Sequence, residues 1–171
     1  MSKEGDTTGD ANNDDDGTIN VSDMTADERN DELLECARYG EDELMMLLIG
    51  MGADVNHSDE GGSTAVHKAA ANGQVECLQI LIKAGAIHKA NGQGNYPIHW
   101  AAQNGQADAL KLLLDSYPDA DVLAQNGNGI STLTEAFNSN KQGIVIVYNI
   151  IIHILISIDR NTRDMFISLF R

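Results

Sequence analysis

Short apolar blocks with helical spacing alternate with polar turns between residues 33 and 142. The apolar residues of two such blocks fall on one face of a helix: Leu78, Ile80, Leu81, Leu110, Leu112 and Leu113. An alanine pair precedes each block, at Ala69-Ala70 and Ala101-Ala102, and small side chains let neighbouring helices approach closely. A single pair of short helices cannot bury such a face, so the pattern predicts helix pairs stacked on one another.

The blocks belong to an internal repeat. The stretch 62–86 reads GSTAVHKAAANGQVECLQILIKAGA and recurs at 94–120 as GNYPIHWAAQNGQADALKLLLDSYPDA. A weaker copy precedes them at 36–56, and a fourth begins at Gly129 with GISTLTEAF. Recurrence at a fixed period is typical of a solenoid, in which each unit contacts only its neighbours.

Capping residues and glycines predict where the helices begin and end. Thr25 and Glu28 stand three residues apart, as in a capping box, and apolar residues follow at helical spacing. We therefore expect the first helix to begin at Thr25. We expect helices to end at four glycines, where a positive φ carries no Cβ penalty: Gly52, Gly73, Gly85 and Gly105.

The repeated unit T-x-x-H-x-A-A-x-x-G-x-x-x-x-L-x-x-L-[LI]-x-x-G-A-[DI] resembles the ankyrin repeat family over roughly residues 30–140. This resemblance implies an all-α solenoid of about four helix-turn-helix repeats, with a concave face of turn tips and first helices on which a protein partner docks. It also implies that His67 and His99 tie turn backbone together by hydrogen bonds. Neither histidine has a nucleophile or carboxylate arranged around it in the pattern, so we expect no catalytic, cofactor-binding or metal-binding role there.

The resemblance assigns recognition to the residues between the repeating turn and helix positions. They are expected to contact the partner: Glu60, Ser63, Asn72, Gln93, Asn95, Trp100, Gln103, Asn104, Asn128 and Asn138. Trp100 has two interpretations, because an indole at this place either packs on the shoulder of its repeat or faces a partner groove. Such an amide-rich face favours a polar or basic protein surface over an apolar ligand.

Charge divides the chain into three segments. Residues 1–32 carry eleven acids and two bases, which predicts a disordered acidic tail over 1–24. The repeat domain is expected at 25–142, and residues 143–171 form a separate segment that contains nine isoleucines.

The net charge of −15 opposes binding to nucleic acid or to anionic lipid, so the expected partner is a neutral or basic protein. Cys36 and Cys77 stand at helical spacing among apolar residues, without a disulfide or metal-ligand pattern, as in a reduced intracellular protein. The stretch MSKEGDTTGD has no apolar core of a signal peptide, so we expect a location in the cytoplasm, the nucleus or both.

Residues 12–23 contain an alternative motif. The spacing of Asn12, Asp14, Asp16, Gly17 and Asp23 is similar to an EF-hand calcium loop. The preceding segment is short and polar, the twelfth position is Asp instead of Glu, and no second loop follows. An acidic tail produces this pattern by composition alone, so calcium binding is kept only as an alternative.

The segment 143–171 departs from the repeat. Its apolar run, 144–158, is 15 residues long and falls short of the ~20 that a bilayer-spanning helix needs. Polar residues interrupt it at Asn149, His153 and Ser157, which would form one stripe on a helix. Three interpretations remain open: an imperfect helix that caps the fourth repeat, a membrane anchor, or an alternative C-terminus of a longer protein.

Two narrower resemblances lead to different functions. The motifs ARYGEDEL, AVHKAAANGQ, IHWAAQNGQADALKLLLD and STLTEAF, together with the acidic tail, look like ankyrin chaperones that shield a basic ribosomal protein of the small subunit. The same motifs resemble the ankyrin half of proteins with a lysine methyltransferase domain. No Gly-rich strand-to-helix motif for a methyl donor occurs in this chain, so we expect a binding module, not an enzyme.

Overall fold

The computed structural model of this chain describes residues 21–139 and 150–151. Within these ranges it contains one 3-10 turn and seven α-helices: Val21–Asp23, then α1 Ala26–Tyr39, α2 Asp42–Gly50, α3 Ala65–Asn72, α4 Val75–Lys83, α5 Pro97–Gln103, α6 Ala107–Ser116 and α7 Thr132–Asn138. Extended pairing in the described part is limited to two isolated antiparallel bridges, Ser58–Thr64 and Gln125–Ser131. The predicted all-α array of helix pairs is confirmed.

The helices lie in two layers. Helices α1, α3, α5 and α7 pack side by side in what we call the first-helix layer, and α2, α4 and α6 pack in the second-helix layer. Large apolar side chains are fully buried in the core: Leu33, Met45, Leu48, Leu78, Leu81, Ile98, Leu110 and Leu113. Six apolar residues were predicted to face the stack. Four of them are fully buried, Leu78, Leu81, Leu110 and Leu113, whereas Ile80 and Leu112 are half-buried.

Helix ends follow the local sequence. The Thr25 backbone N–H donates to Glu28 Oε2 at 2.7 Å, and the Glu28 N–H donates to Thr25 Oγ at 3.3 Å, which confirms the capping box. Gly73 and Gly105 adopt φ of 71° and 75°, so each chain reversal between paired helices uses a conformation that disfavours a side chain.

Residues 21–24 belong to the predicted acidic tail, and residues 150–151 belong to the predicted C-terminal segment. Val21 is buried and Met24 packs against the core, so the folded part includes residues assigned above to the tail. Ile150 is buried in the core, whereas Ile151 is 46% exposed. Residues 1–20, which include nine of the twelve positions of the calcium-loop candidate at 12–23, and the remainder of 143–171 lie outside the described residues. Within the described part, no helix has the length and apolar character to cross a membrane.

Candidate protein-binding face

A polar residue at the start of each turn organises the hairpins between repeats. The Oδ1 atoms of Asp59, Asn91 and Asn126 each accept the backbone N–H four residues further on, at 2.8, 3.0 and 3.0 Å. The two asparagines also reach the preceding turn: Asn91 Nδ2 donates to Ser63 Oγ at 3.1 Å, and Asn126 Nδ2 donates to Asn95 Oδ1 at 2.8 Å. Successive turns are therefore joined by buried side-chain hydrogen bonds.

Backbone hydrogen bonds join the same turns at their tips. The Gly92 N–H donates to Gly61 O at 2.9 Å, and the Gly127 N–H donates to Gln93 O at 2.8 Å. A Cβ at Gly92 or Gly127 would lie 2.9 or 2.6 Å from those carbonyl oxygens. Only glycine fits this approach without movement of the turns, so the tips form a continuous ladder.

Histidines connect the first-helix layer to the turns. His67 Nδ1 accepts the Thr64 N–H at 3.1 Å, so its Nε2 carries the proton and donates to the carbonyl of Asn95 at 3.0 Å. His99 Nε2 pairs in the same way with the Ala124 carbonyl at 3.0 Å. Burial lowers the pKa of His67 to about 4 and also lowers the pKa of His99. Both rings are neutral at pH 7, and their predicted hydrogen-bonding role is confirmed.

The ten residues predicted to contact a partner differ in exposure: six are exposed, two are half-buried and two are buried. Six are exposed: Glu60, Asn72, Gln93, Gln103, Asn128 and Asn138. Trp100 and Asn104 are half-buried. Asn72 and Asn104 each donate Nδ2 to the carbonyl four residues earlier, at 2.9 Å, which leaves the amide oxygen for other partners.

The expectation needs correction at Ser63 and Asn95. Both are buried, with exposed fractions of 4% and 9%. Their side-chain oxygens accept the inter-turn hydrogen bonds from Asn91 and Asn126 described above. Buried polar groups need hydrogen-bond partners, and these two residues find theirs in the adjacent turn. They therefore hold the turns together and present no surface to a partner.

Trp100 lies on α5, which packs between α3 and α7 in the first-helix layer. Its ring meets the His67 ring edge-on at 5.5 Å between centroids, and Lys68 Nζ lies 5.8 Å from the indole centroid. Lys68 also forms an ion pair with Asp59 at 2.6 Å. Within the described residues the indole N–H makes no hydrogen bond. Trp100 thus packs on its neighbours and still has part of its surface and its N–H donor exposed.

An acidic groove, which sequence reasoning missed, lies along α1. It has a volume of about 580 Å³ and is lined by two apolar and five acidic residues: Met24, Leu34, Glu28, Asp31, Glu32, Glu35 and Asp59. Burial raises the pKa of Asp59, but hydrogen bonds from Lys68 and from the Ser63 N–H hold it below its ordinary value. The Thr25 backbone likewise lowers the pKa of Glu28. Both carboxylates are therefore charged at pH 7.

Asp59 connects the groove to Trp100 through Lys68. Its carboxylate lines the groove on one side and pairs with Lys68 on the other, next to Trp100. The groove and Trp100 together form one surface, which we call the acidic track. The only sequence signal for this surface was the cluster of acidic residues in α1. Asp59 is distant from them in sequence and is brought next to them by the fold.

The first repeat also contains a group of potential metal ligands. Ligand atoms of Glu32, Cys36 and Glu41 lie within 4.8 Å of one another. Burial, and then the charge of Glu32, raise the pKa of the Cys36 thiol to about 12. The thiol is thus protonated at pH 7 while no metal is bound. We assign no metal site to this group.

Stacked helix pairs, laddered turns and an open acidic track define a solenoid whose surface suits protein binding. The family model described as "Ankyrin repeats (3 copies)" matches residues 33–145, which is more than half of the chain. The chain therefore belongs to the ankyrin repeat family, whose repeats act as protein-protein interaction modules.

Shorter similarities link the chain to larger proteins. Cortactin-binding protein 2 of Ornithorhynchus anatinus is 44% identical over 43 residues, which cover 25% of this chain and 3% of that protein. Cortactin-binding protein 2 of Echinops telfairi is 46% identical over 43 residues, with the same shares. The chain thus spans about 3% of the length of these relatives.

Proposed function

We propose that this chain is a non-catalytic module that binds a basic segment of another protein along the acidic track. The groove carries this proposal. Five carboxylates line it, and no lysine or arginine is among its lining residues. Met24 and Leu34 add an apolar floor on which the stems of lysine or arginine side chains pack.

Contacts beyond the groove extend the same surface. Trp100 supplies a half-exposed ring and an N–H donor, and exposed amides follow on the first-helix layer at Asn72 and Gln103. Aromatic anchors surrounded by polar contacts are typical of binding hot spots. Charge in the groove attracts the partner at long range, and the amides and indole fix its position.

Shielding of a basic cargo is the particular role that the acidic track supports. A chaperone of this kind covers positive charge that otherwise binds nucleic acid nonspecifically. An adaptor that links a basic protein to another factor would use the same surface. We place either role in the cytoplasm or nucleus, in keeping with the free, buried Cys36 and Cys77.

Binding to a lysine- and arginine-rich model peptide tests the proposal in the full chain. We expect the double variant Asp31→Asn/Glu32→Gln to weaken binding about tenfold at low salt, with a smaller loss at high salt. The matched control is Glu76→Gln/Asp108→Asn, which removes two exposed charges from the second-helix layer. Equal losses in the two variants, measured by isothermal titration, would show that net charge alone attracts the peptide and that the track is not the site.

A further inference from the structure

A second cavity lies outside the acidic track, between the loop that follows α4 and the loop that follows α6. Its volume is about 400 Å³, within the range of binding pockets. Small and apolar residues form much of its lining: Ala86, Ile87, Pro118, Ala120 and Ala124. None of the ten residues predicted to contact a partner lines it.

Aromatic rings give the cavity a fixed wall. His88 lies between Tyr96 and Tyr117, with centroid distances of 5.0 and 5.2 Å. The Tyr117 hydroxyl donates to the Ala86 carbonyl at 2.7 Å, which anchors one loop to the other. Burial lowers the pKa of His88 to about 4, so this ring adds no positive charge to the wall at pH 7. The cavity is thus formed before any ligand arrives.

Two carboxylates supply the charge. Asp119 and Asp121 line the cavity and are exposed, and no lysine or arginine lines it. Asp121 Oδ1 accepts the Leu123 N–H at 2.8 Å, which fixes that side chain and leaves its second oxygen for a ligand. A rigid apolar wall beneath two carboxylates is complementary to a cation carried on an apolar stem.

We infer that this cavity receives a single arginine side chain from the partner protein. Guanidinium bonds two acceptors at once and is more weakly hydrated than ammonium, so it suits a pocket that is apolar below and acidic at its rim. The inference rests on the proposed function, because it adds one specific contact to a basic partner. It places that contact on the loops of the second and third repeats, away from the acidic track.

Titration of the full chain with the peptide acetyl-Gly-Arg-Gly-amide, followed by two-dimensional NMR, tests the inference. We expect saturable chemical-shift changes at the amides of Ala86, Ile87 and Ala120. The citrulline analogue, which keeps the shape of arginine but lacks its charge, should cause none. Asp121→Asn should weaken binding at least about threefold. That variant keeps an oxygen for the Leu123 N–H, so the turn is preserved.

Asp54→Asn is the matched control, since Asp54 Oδ1 accepts the Asn56 N–H at 2.9 Å in the same kind of turn. Asp54 lines neither this cavity nor the acidic groove. Its affinity for the peptide should stay unchanged. Shifts at Glu32 and Asp59 without shifts at Ile87 would overturn the inference and leave the proposed function standing. Equal binding of arginine and citrulline peptides would also overturn it. A lysine peptide that binds as tightly as the arginine peptide would refute the choice of arginine.

Discussion

The first repeat and the middle of the array use polar residues in opposite ways. Residues 21–60 contain twelve acids and two arginines, whereas residues 61–105 contain one acid and three lysines. In the middle region buried amides and histidines form hydrogen bonds that join repeats. In the first repeat the carboxylates line an open groove. Buried polar bonds between repeats are therefore concentrated in the middle of the array, and the acidic groove lies in the first repeat. Substitutions in these two regions should affect stability and peptide binding to different extents.

The largest effect should come from the apolar contacts between the middle repeats. Leu81 and Leu113 are fully buried, so Leu81→Ala or Leu113→Ala should lower the free energy of unfolding by roughly 2–5 kcal/mol through loss of contacts and cavity formation. Leu47→Ala, at a side chain that is 51% exposed in the first repeat, should cost less than about 0.5 kcal/mol. Chemical denaturation measures both. Similar losses at Leu47 and Leu81 would contradict the contrast.

Acid should destabilise the middle repeats through His67. Its folded-state pKa of about 4 lies below the ordinary value of 6.5, so the unfolded chain binds more protons between these values. Stability is then fully present above about pH 6.5 and falls by up to about 3 kcal/mol as the pH drops to 4. Unfolding free energies measured across this window should show a smaller slope in His67→Gln. An unchanged slope would mean that His67 is not buried in the neutral form.

Crowding at the turn ladder should have an intermediate effect. A Cβ at position 127 would lie 2.6 Å from the Gln93 carbonyl oxygen, so Gly127→Ala should cost about 1–3 kcal/mol. Gly50→Ala is the matched control in the first repeat, because Gly50 is helical and a Cβ there meets nothing within 4 Å. That change should be neutral or should stabilise the chain by up to about 1 kcal/mol. Thermal melts of the two variants measure these changes. Equal shifts in melting temperature would argue against close packing of the turn tips.

Surface charge in the first repeat should affect stability least. Glu35 and Arg38 form an exposed ion pair at 3.2 Å, and such pairs contribute little. Glu35→Gln should change the free energy of unfolding by less than about 0.5 kcal/mol while it slows association with a basic peptide. Stopped-flow binding and denaturation of the same variant measure both quantities. A large loss of stability would show that the Glu35 carboxylate contributes substantially to the stability of the fold.

The sequence predicted what repeats locally. The capping residue Thr25, the helix-ending Gly73 and Gly105, and the buried Leu81 and Leu113 all follow from short-range spacing, and each lies where expected. The fold class follows because these signals recur in one order.

Features that depend on the neighbouring repeat were not predictable in the same way. Ser63 and Asn95 looked like surface polar residues, and their burial depends on an asparagine opposite them in the next turn. The acidic track requires Asp59 to approach α1, and the cavity lined by Ala86, Tyr117 and Asp121 requires two loops to approach each other. Spacing along a helix carries no information about such pairings.

The histidine bonds have a consequence for how the chain folds. His67 bonds a carbonyl 28 residues away, and His99 one 25 residues away, so each link spans less than one repeat period. Contacts of such short range close small loops, and low contact order favours fast folding. Order in this chain can start wherever two adjacent repeats first meet and then advance in both directions, as expected of a one-dimensional system of coupled neighbours.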